Sequence, residues 1–389
     1  MTDSMNPSSQ SGAGSGSAPE QRTVVRTGER GQSGFQLVTS RGFDEWLAGE
    51  RMSLALTTYQ VGGLLLLGLK PNRDISIYAA AFDRAMGLWS DGQSLWLATG
   101  TSIWRMENSL AEGAQQDSFD RVYVPRISYT TGDVDAHDLA IDADGRPVFV
   151  NSRFSCLATV DERFSFRFLW KPPFVSTVCP EDRCHLNGLA LERGRPKYVT
   201  AVAKSDAADA WRDFREQGGL VIDVESGDLV AEGLSMPHSP RLYRDRLWLL
   251  DSGSGYFGFI DVEHGRFEPV TFIPGYARGL AFHGDYAVVG ISNQRREHAF
   301  QGLPLEQNLA EKGAAPRCGL QVIELASGTV VHWLRIESKI EELYDVALLP
   351  GVVRPKALSF ATPAIGHQFC YEQDGRIQHW SSTPSAGSR

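Results

Sequence analysis

Apolar positions in this chain fall into short alternating runs broken by turn residues, and the runs recur as copies of one unit. Each copy opens on a strand anchored by Leu or Val. The openings read AMGLWSDG at Leu88, AHDLAIDADG at Leu139, HLNGLALERG at Leu189, HSPRLYRD at Leu242, ARGLAFHGD at Leu280 and LYDVALLPG at Val346. Consecutive anchors lie 51, 50, 53, 38 and 66 residues apart. Most openings lead into a second strand, as in LWLATG, PVFVNS and LWLLDS. A period of roughly 40–50 residues with about four short strands per period predicts a β-propeller.

The last opening has little regular chain after it, whereas the first is preceded by three strand-like runs, SLALTTYQ, GLLLLGLK and DISIYAAAF. Joined, they complete one blade. The fold class is therefore all-β: a six-bladed propeller closed by N-terminal strands pairing with a C-terminal strand, a closure that hides sheet edges. Seven blades is the alternative, if the last interval conceals another unit. The sequence predicts a disordered tail over 1–33, rich in Ser, Gly, Gln and Pro, a propeller over 34–373, and a flexible tail over 374–389.

Propeller geometry selects one face. The loop into each first strand and the loop between second and third strands emerge together. The two largest insertions, residues 204–218 and 293–317, both join second to third strands and read as helix or loop. They form either a lid or rim decoration. Strand alternation places residues at even offsets on one face. Two before each anchor stand Met86, His137, Asn187, Pro240, Arg278 and Tyr344; four before stand Arg84, Asp135, His185, His238, Tyr276 and Glu342.

Three of the nine histidines fall in this ring, one blade apart. Neutral imidazole is a common ligand of first-row metals, and three with open positions suit a catalytic site. His137, His185 and His238 are thus candidate ligands of a divalent ion, with Zn, Fe, Mn and Cu undistinguished. The alternatives are histidines that bind substrate without metal, or that serve the structure. Candidate catalytic groups are Tyr344, Asp138 and Glu342. Candidate substrate-binding groups are Arg278, Arg241, Asn187, Arg153 and Tyr256. Each Arg has a competing reading as an inter-blade ion pair, more so Arg241 than Arg278.

Composition narrows the partners. A net charge of −9 without a basic run argues against nucleic acid. The most apolar stretch, VGGLLLLGL, is too short to span a bilayer, and no secretory pattern opens the chain. Five cysteines without a framework fit the cytoplasm. In CPEDRCH, Cys179 and Cys184 lack a second pair for structural zinc; quiet thiols or a disulfide remain. DSGSGYFG lacks the Gly-Lys-Ser/Thr of a phosphate loop, and DADG reads as a hairpin turn before a calcium loop.

The openings HDLAIDADGRPVFVNS and HLNGLALERGRPKYVT resemble six-bladed propellers of the gluconolactonase, strictosidine-synthase and senescence-marker group. That resemblance implies the fold. Members hold a divalent ion with Glu, Asn and Asp, whereas here His, Asn, Arg and Tyr stand in comparable places. The stretch from FDEWL (43–47) to LYDVALLPGVVRP (343–355), with GYARGLAFHGDYAVVGIS, GLPLEQNLAE and CGLQVIELASGTVVHWLRIES, is similar to a bacterial family of conserved hypothetical proteins. Some of its members carry tetratricopeptide-repeat segments. It implies no activity.

The expected function is a metal-dependent enzyme of hydrolase, lyase or isomerase type, or an oxidative one, acting on a small anionic or peptide substrate at the axis. The alternative is a non-catalytic module that docks a protein partner through loop aromatics such as Trp211, Tyr256 and Phe300.

Overall fold

Six blades, each built on four antiparallel strands and two of them extended by added edge strands, stand around one axis in a computed structural model that describes residues 21–27, 35–293 and 301–381. Blade 1 takes its innermost strand, Val346–Pro350, from the C-terminal part of the chain and its other three, Met52–Thr58, Gly63–Leu69 and Ile75–Ala81, from the N-terminal part. Val346 pairs with Leu56 and Pro350 with Met52, so the ring closes as expected. The innermost strands of blades 2 to 6 are Leu88–Ser90, Ala136–Ile141, Leu186–Glu192, Pro237–Tyr243 and Tyr276–His283.

Alternation builds the core between blades. Leu54, Leu56, Leu65 and Leu67 of blade 1 face Val288, Leu320 and Val322 of blade 6. The intervening Ala55, Leu64 and Leu66 face Leu88, Leu95 and Leu97 of blade 2. Both faces of the sheet are buried, which is why these strands read as near-continuous apolar runs. Each such leucine contributes roughly 1.5–3 kcal/mol.

Segments expected to lack structure extend two sheets' surroundings. Gln21–Thr27 pairs with Phe35–Ser40, which adds to the outer strand of blade 6, Thr329–Glu337. Arg376–Ser381 forms a hairpin with Gln368–Gln373. His379 Nδ1 donates to the Ser109 carbonyl at 2.7 Å, fixing that hairpin on blade 2. Added edge strands draw on backbone pairing with an existing sheet, which no apolar pattern announces.

The insertion after Arg195–Ala201 contains a short 3-10 turn, Ala210–Phe214, and the insertion after Tyr286–Ser292 contains a helix, Pro304–Glu311. Trp211, Leu303, Leu305 and Leu309 from these insertions pack with Met236 and Tyr276 at the start of two innermost strands. The insertions therefore meet each other over the axis on blades 4 to 6. Among the described residues, no helix is long and apolar enough to cross a membrane.

Candidate functional site

The simple alternation expected of the innermost strands does not hold. Register shifts interrupt pairing between Ala136 and Leu139, Leu186 and Gly188, His238 and Arg241, and Ala277 and Leu280. Each is an irregularity just before the anchor, and bulges of this kind re-aim side chains. Asp135, His185, Met236 and Ser239 also adopt positive φ, 46 to 51°, an uncommon backbone for residues with a Cβ. The outcome is two separate levels on the axis.

The lower level is a charged latch. Arg241 donates from Nη1 and Nη2 to the two oxygens of Asp138 at 2.8 and 3.1 Å, and from Nε to the Leu280 carbonyl at 3.2 Å. Asp138 accepts the amides of Leu139 and Leu189, each at 2.9 Å. Asp345 lies 4.0 Å from Arg241 and accepts the amides of Leu88 and Val346. One triad thus ties strands of all six blades. Burial, then the neighbouring Asp138 charge, pushes the Asp345 carboxyl up, and Arg241 offsets part of this.

The latch has a visible sequence logic. Asp138, Arg241 and Asp345 immediately precede the anchors of blades 3, 5 and 1, whereas Gly87, Gly188 and Gly279 precede those of blades 2, 4 and 6. The glycines make room. A Cβ on Gly188 would stand 2.3 Å from Pro240 Cδ, and one on Gly279, at φ +77°, would stand 2.6 Å from Val346 N.

The upper level gathers His137, His185, His238, Asn187, Arg278, Tyr344 and Glu342, all buried. His137 and His185 meet edge to face with centroids 4.7 Å apart; His137 lies 5.5 Å from Tyr344, and His238 lies 5.6 Å from Tyr276. The Arg278 guanidinium sits 4.6 Å from the Tyr344 ring centre and 5.5 Å from that of Tyr276. Trp211 stacks on His185 at 4.0 Å, so the insertion covers this level.

Hydrogen bonds set the imidazole tautomers. Ser152 Oγ donates to the Leu186 carbonyl, so at 2.8 Å it accepts from His137 Nδ1. His185 Nδ1 donates to Asp182 Oδ2 at 2.8 Å, and the same oxygen accepts Trp211 Nε1. His238 Nδ1 donates to the Met236 carbonyl at 2.8 Å. Every Nδ1 is committed as a donor, which leaves every Nε2 with a lone pair. Asn187, held by Thr200 Oγ1 at 2.8 Å, turns its amide nitrogen to His238 Nε2 at 3.4 Å. Among the described residues no donor reaches Nε2 of His137 or His185.

Arg278 is the anomaly. It is 5 % exposed, its Nε is buried without a hydrogen-bond partner among the described residues, and its ion pair with Glu342 is long, at 3.7 Å. Burying a guanidinium so poorly satisfied costs several kcal/mol, about what an incoming anion could restore.

The donor chemistry fits a divalent ion, because bare Nε2 atoms with fixed Nδ1 partners are how histidines usually ligate. Their positions do not make a three-ligand shell: among the described residues no three His, Cys, Asp or Glu side chains are grouped to hold a metal.

Four expected site residues lie elsewhere. Asp138 and Arg241 form the latch beneath. Arg153 pairs with Asp133 at 3.0 Å, and Tyr256 packs on Phe272 at 5.4 Å with Lys312 over its ring. Trp211 is buried rather than an exposed anchor, and Phe300 lies outside the described residues. All five cysteines are free, so Cys179 and Cys184 form no disulfide. Sequence reasoning passed over Ser152 and Asp182, which orient two imidazoles. Asp182 lies three residues before His185, a spacing obscured by attention to the flanking cysteines.

Burial, against the pull of Asp135, lowers the His137 pKa to about 4, with His185 and Arg278 adding to the effect; burial and Arg278 hold His238 well below the usual range. Both imidazoles are neutral near pH 7. For a depressed folded pKa, the stabilisation is whole above the unfolded value, about 6.5, and is lost as pH falls toward 4. The His137 share is on the order of 3 kcal/mol. Urea unfolding should therefore shift sharply to lower denaturant between pH 6.5 and 4.5, and His137→Gln should remove part of that slope. Asp251, pushed up to about 6 by burial, works in the opposite direction as it protonates, so the difference between the two proteins is the quantity to read.

Fold and site together define a six-bladed β-propeller with a covered cluster of polar side chains on its axis. The chain belongs to the family described as a domain of unknown function, DUF4915, whose sequence pattern matches residues 41–358. No curated protein matches it. Among solved structures, one from a nidogen/laminin complex aligns with a TM-score of 0.50 and 14% identity, over 77% of this chain and 99% of that one. A Bacteroides caccae protein of unknown function gives 0.45 and 11%, over 76% and 98%. Virginiamycin B lyase from Staphylococcus aureus gives 0.37 and 13%, over 61% and 73%. At such identities the first likeness shows the fold alone.

Proposed function

We propose that the axial polar cluster encloses a chamber, and that this chamber is the active site of an enzyme that binds a small anion and performs acid–base chemistry on it, of lyase or isomerase type. The observation that carries this reading is Arg278, a buried guanidinium with Nε unpartnered among the described residues, facing imidazoles whose Nε2 atoms are bare. Such an arrangement weakens a fold; it persists where binding selects it. Arg278 anchors the anion, and His137 and His185 accept a proton from it. Tyr344, beside His137 and stacked on Tyr59 at 6.0 Å, is the proton donor, while Glu342 steadies Arg278. The free cysteines support a cytoplasmic setting.

The tautomers favour a second reading in which a divalent ion joins His137 and His185. Bound there, it would supply Lewis acidity. Metal analysis of protein purified without an affinity tag, beside His137→Ala, checks it: stoichiometric metal that disappears in the variant supports the ion.

For the first reading, melting is followed with a panel of small carboxylates, amino acids among them, and phosphates. A ligand near 100 times its Kd adds about 2.7 kcal/mol. The expected result is a clear rise in Tm with one class of anion. A flat response across the panel at millimolar concentrations would sink the proposal.

A further inference from the structure

The chamber is chemically two-sided. Its donors stand on blade 6, where Arg278 presents a guanidinium without a close hydrogen bond among the described residues. Its acceptors stand on blades 3 and 4. His137 and His185 each commit Nδ1 elsewhere, so in the neutral ring Nε2 is the acceptor. Behind His185, Asp182 uses Oδ2 for both His185 and Trp211, while its Oδ1 is buried with no hydrogen-bond partner among the described residues. Asn187 turns its amide nitrogen toward His238 rather than toward His137 or His185.

A simple carboxylate would satisfy Arg278 and leave two imidazole lone pairs facing an acceptor-only ligand. Buried acceptors left without donors are costly, so such a ligand is a poor match. A ligand with N–H donors at its other end satisfies both walls. Charge points the same way: Asp182 places a negative charge one hydrogen bond behind the acceptor wall, opposite the positive Arg278. An ammonium would also lie beside the ring faces that surround the chamber, a favourable placement for a cation.

Resting on the active-site reading above, we infer that the chamber takes a small amino acid, its carboxylate on Arg278 and its protonated amine on Nε2 of His137 and His185. Asp182 is a positioning residue, holding His185 in the accepting tautomer and supplying the balancing charge.

The test uses the full chain and matched probes: the common amino acids, the corresponding acids lacking the amine, the corresponding hydroxy acids, and amines lacking the carboxylate. Binding is read by titration calorimetry near pH 7. At least one amino acid should bind, and its desamino and hydroxy counterparts should bind at least 10-fold more weakly. Asp182→Asn should weaken the amino acid by a similar factor while leaving the weak desamino acid unchanged; Arg278→Met should abolish both. A desamino or hydroxy acid that binds as tightly as the amino acid overturns this inference and leaves the anion site standing. Failure of every carboxylate, or indifference to Arg278→Met, overturns the active-site reading itself. The ligand comparison in the unaltered protein stands even if Asp182→Asn fails to fold.

Discussion

Arg241→Ala should cost the fold about 3–5 kcal/mol, because it leaves the Asp138 carboxylate buried without its cation. The loss is not local. Asp138 and Asp345 hold amides of blades 1 to 4, and Arg241 holds carbonyls of blades 4 to 6, so the triad is a polar tie that reaches every blade of the ring. Acid should shrink the deficit. Without the guanidinium the Asp345 carboxyl, already pushed up to about 7 by burial, becomes harder still to ionise, and protonating it relieves buried charge as pH falls from about 7.5. Urea unfolding of both proteins at pH 7.5 and 5.5 gives the two differences. Arg244→Ala is the control: its ion pair with Asp285 is exposed on both sides, screened by solvent, and should contribute little. A deficit for Arg241→Ala no larger than the control would remove the latch from the account of this fold.

Arg278→Met should do the reverse. The side chain is more deeply buried than that of Arg241, and it lacks the bidentate carboxylate and carbonyl partners that Arg241 has. Replacing a badly satisfied buried charge by an apolar group of similar length is often neutral or stabilising, by up to about 1–4 kcal/mol. Melting temperature should hold or rise, and anion binding should weaken at least about 30-fold, since truncating a charged hydrogen-bonding partner costs 2 kcal/mol or more. The double variant Arg278→Met with Glu342→Gln removes both charges of the long ion pair. The decisive comparison is stability against binding in one protein. Should Arg278→Met and the double variant both melt several degrees lower, Arg278 is a structural ion pair and the chamber loses its anchor.

These two arginines show where sequence reading worked and where it stopped. Both lie close before an anchor, Arg241 by one residue and Arg278 by two. Strict alternation would send them to opposite faces of their strands. Instead, register shifts before the anchors of blades 5 and 6 re-aim the chain, and the two residues part along the axis: one into the latch, one into the chamber. The same irregularity in blade 3 separates His137 from Asp138, which had been grouped as one site. The alternation of Gly87, Gly188 and Gly279 with Asp138, Arg241 and Asp345 was open to inspection in the sequence. Its meaning depends on knowing that neighbouring blades touch at this position.

The blade period, the number of blades, the closure by both chain ends and the gathering of three histidines on one face follow from local pattern. Apolar alternation and repeat length are properties of short stretches, and every copy of the unit repeats them. Which polar residues meet, which nitrogen of each imidazole stays bare, and which arginine is satisfied depend on contacts between blades about 50 or more residues apart. Those contacts are set by irregularities of less than one strand register. No pattern along the chain encodes them, because their energy appears only once six sheets are packed around a shared axis.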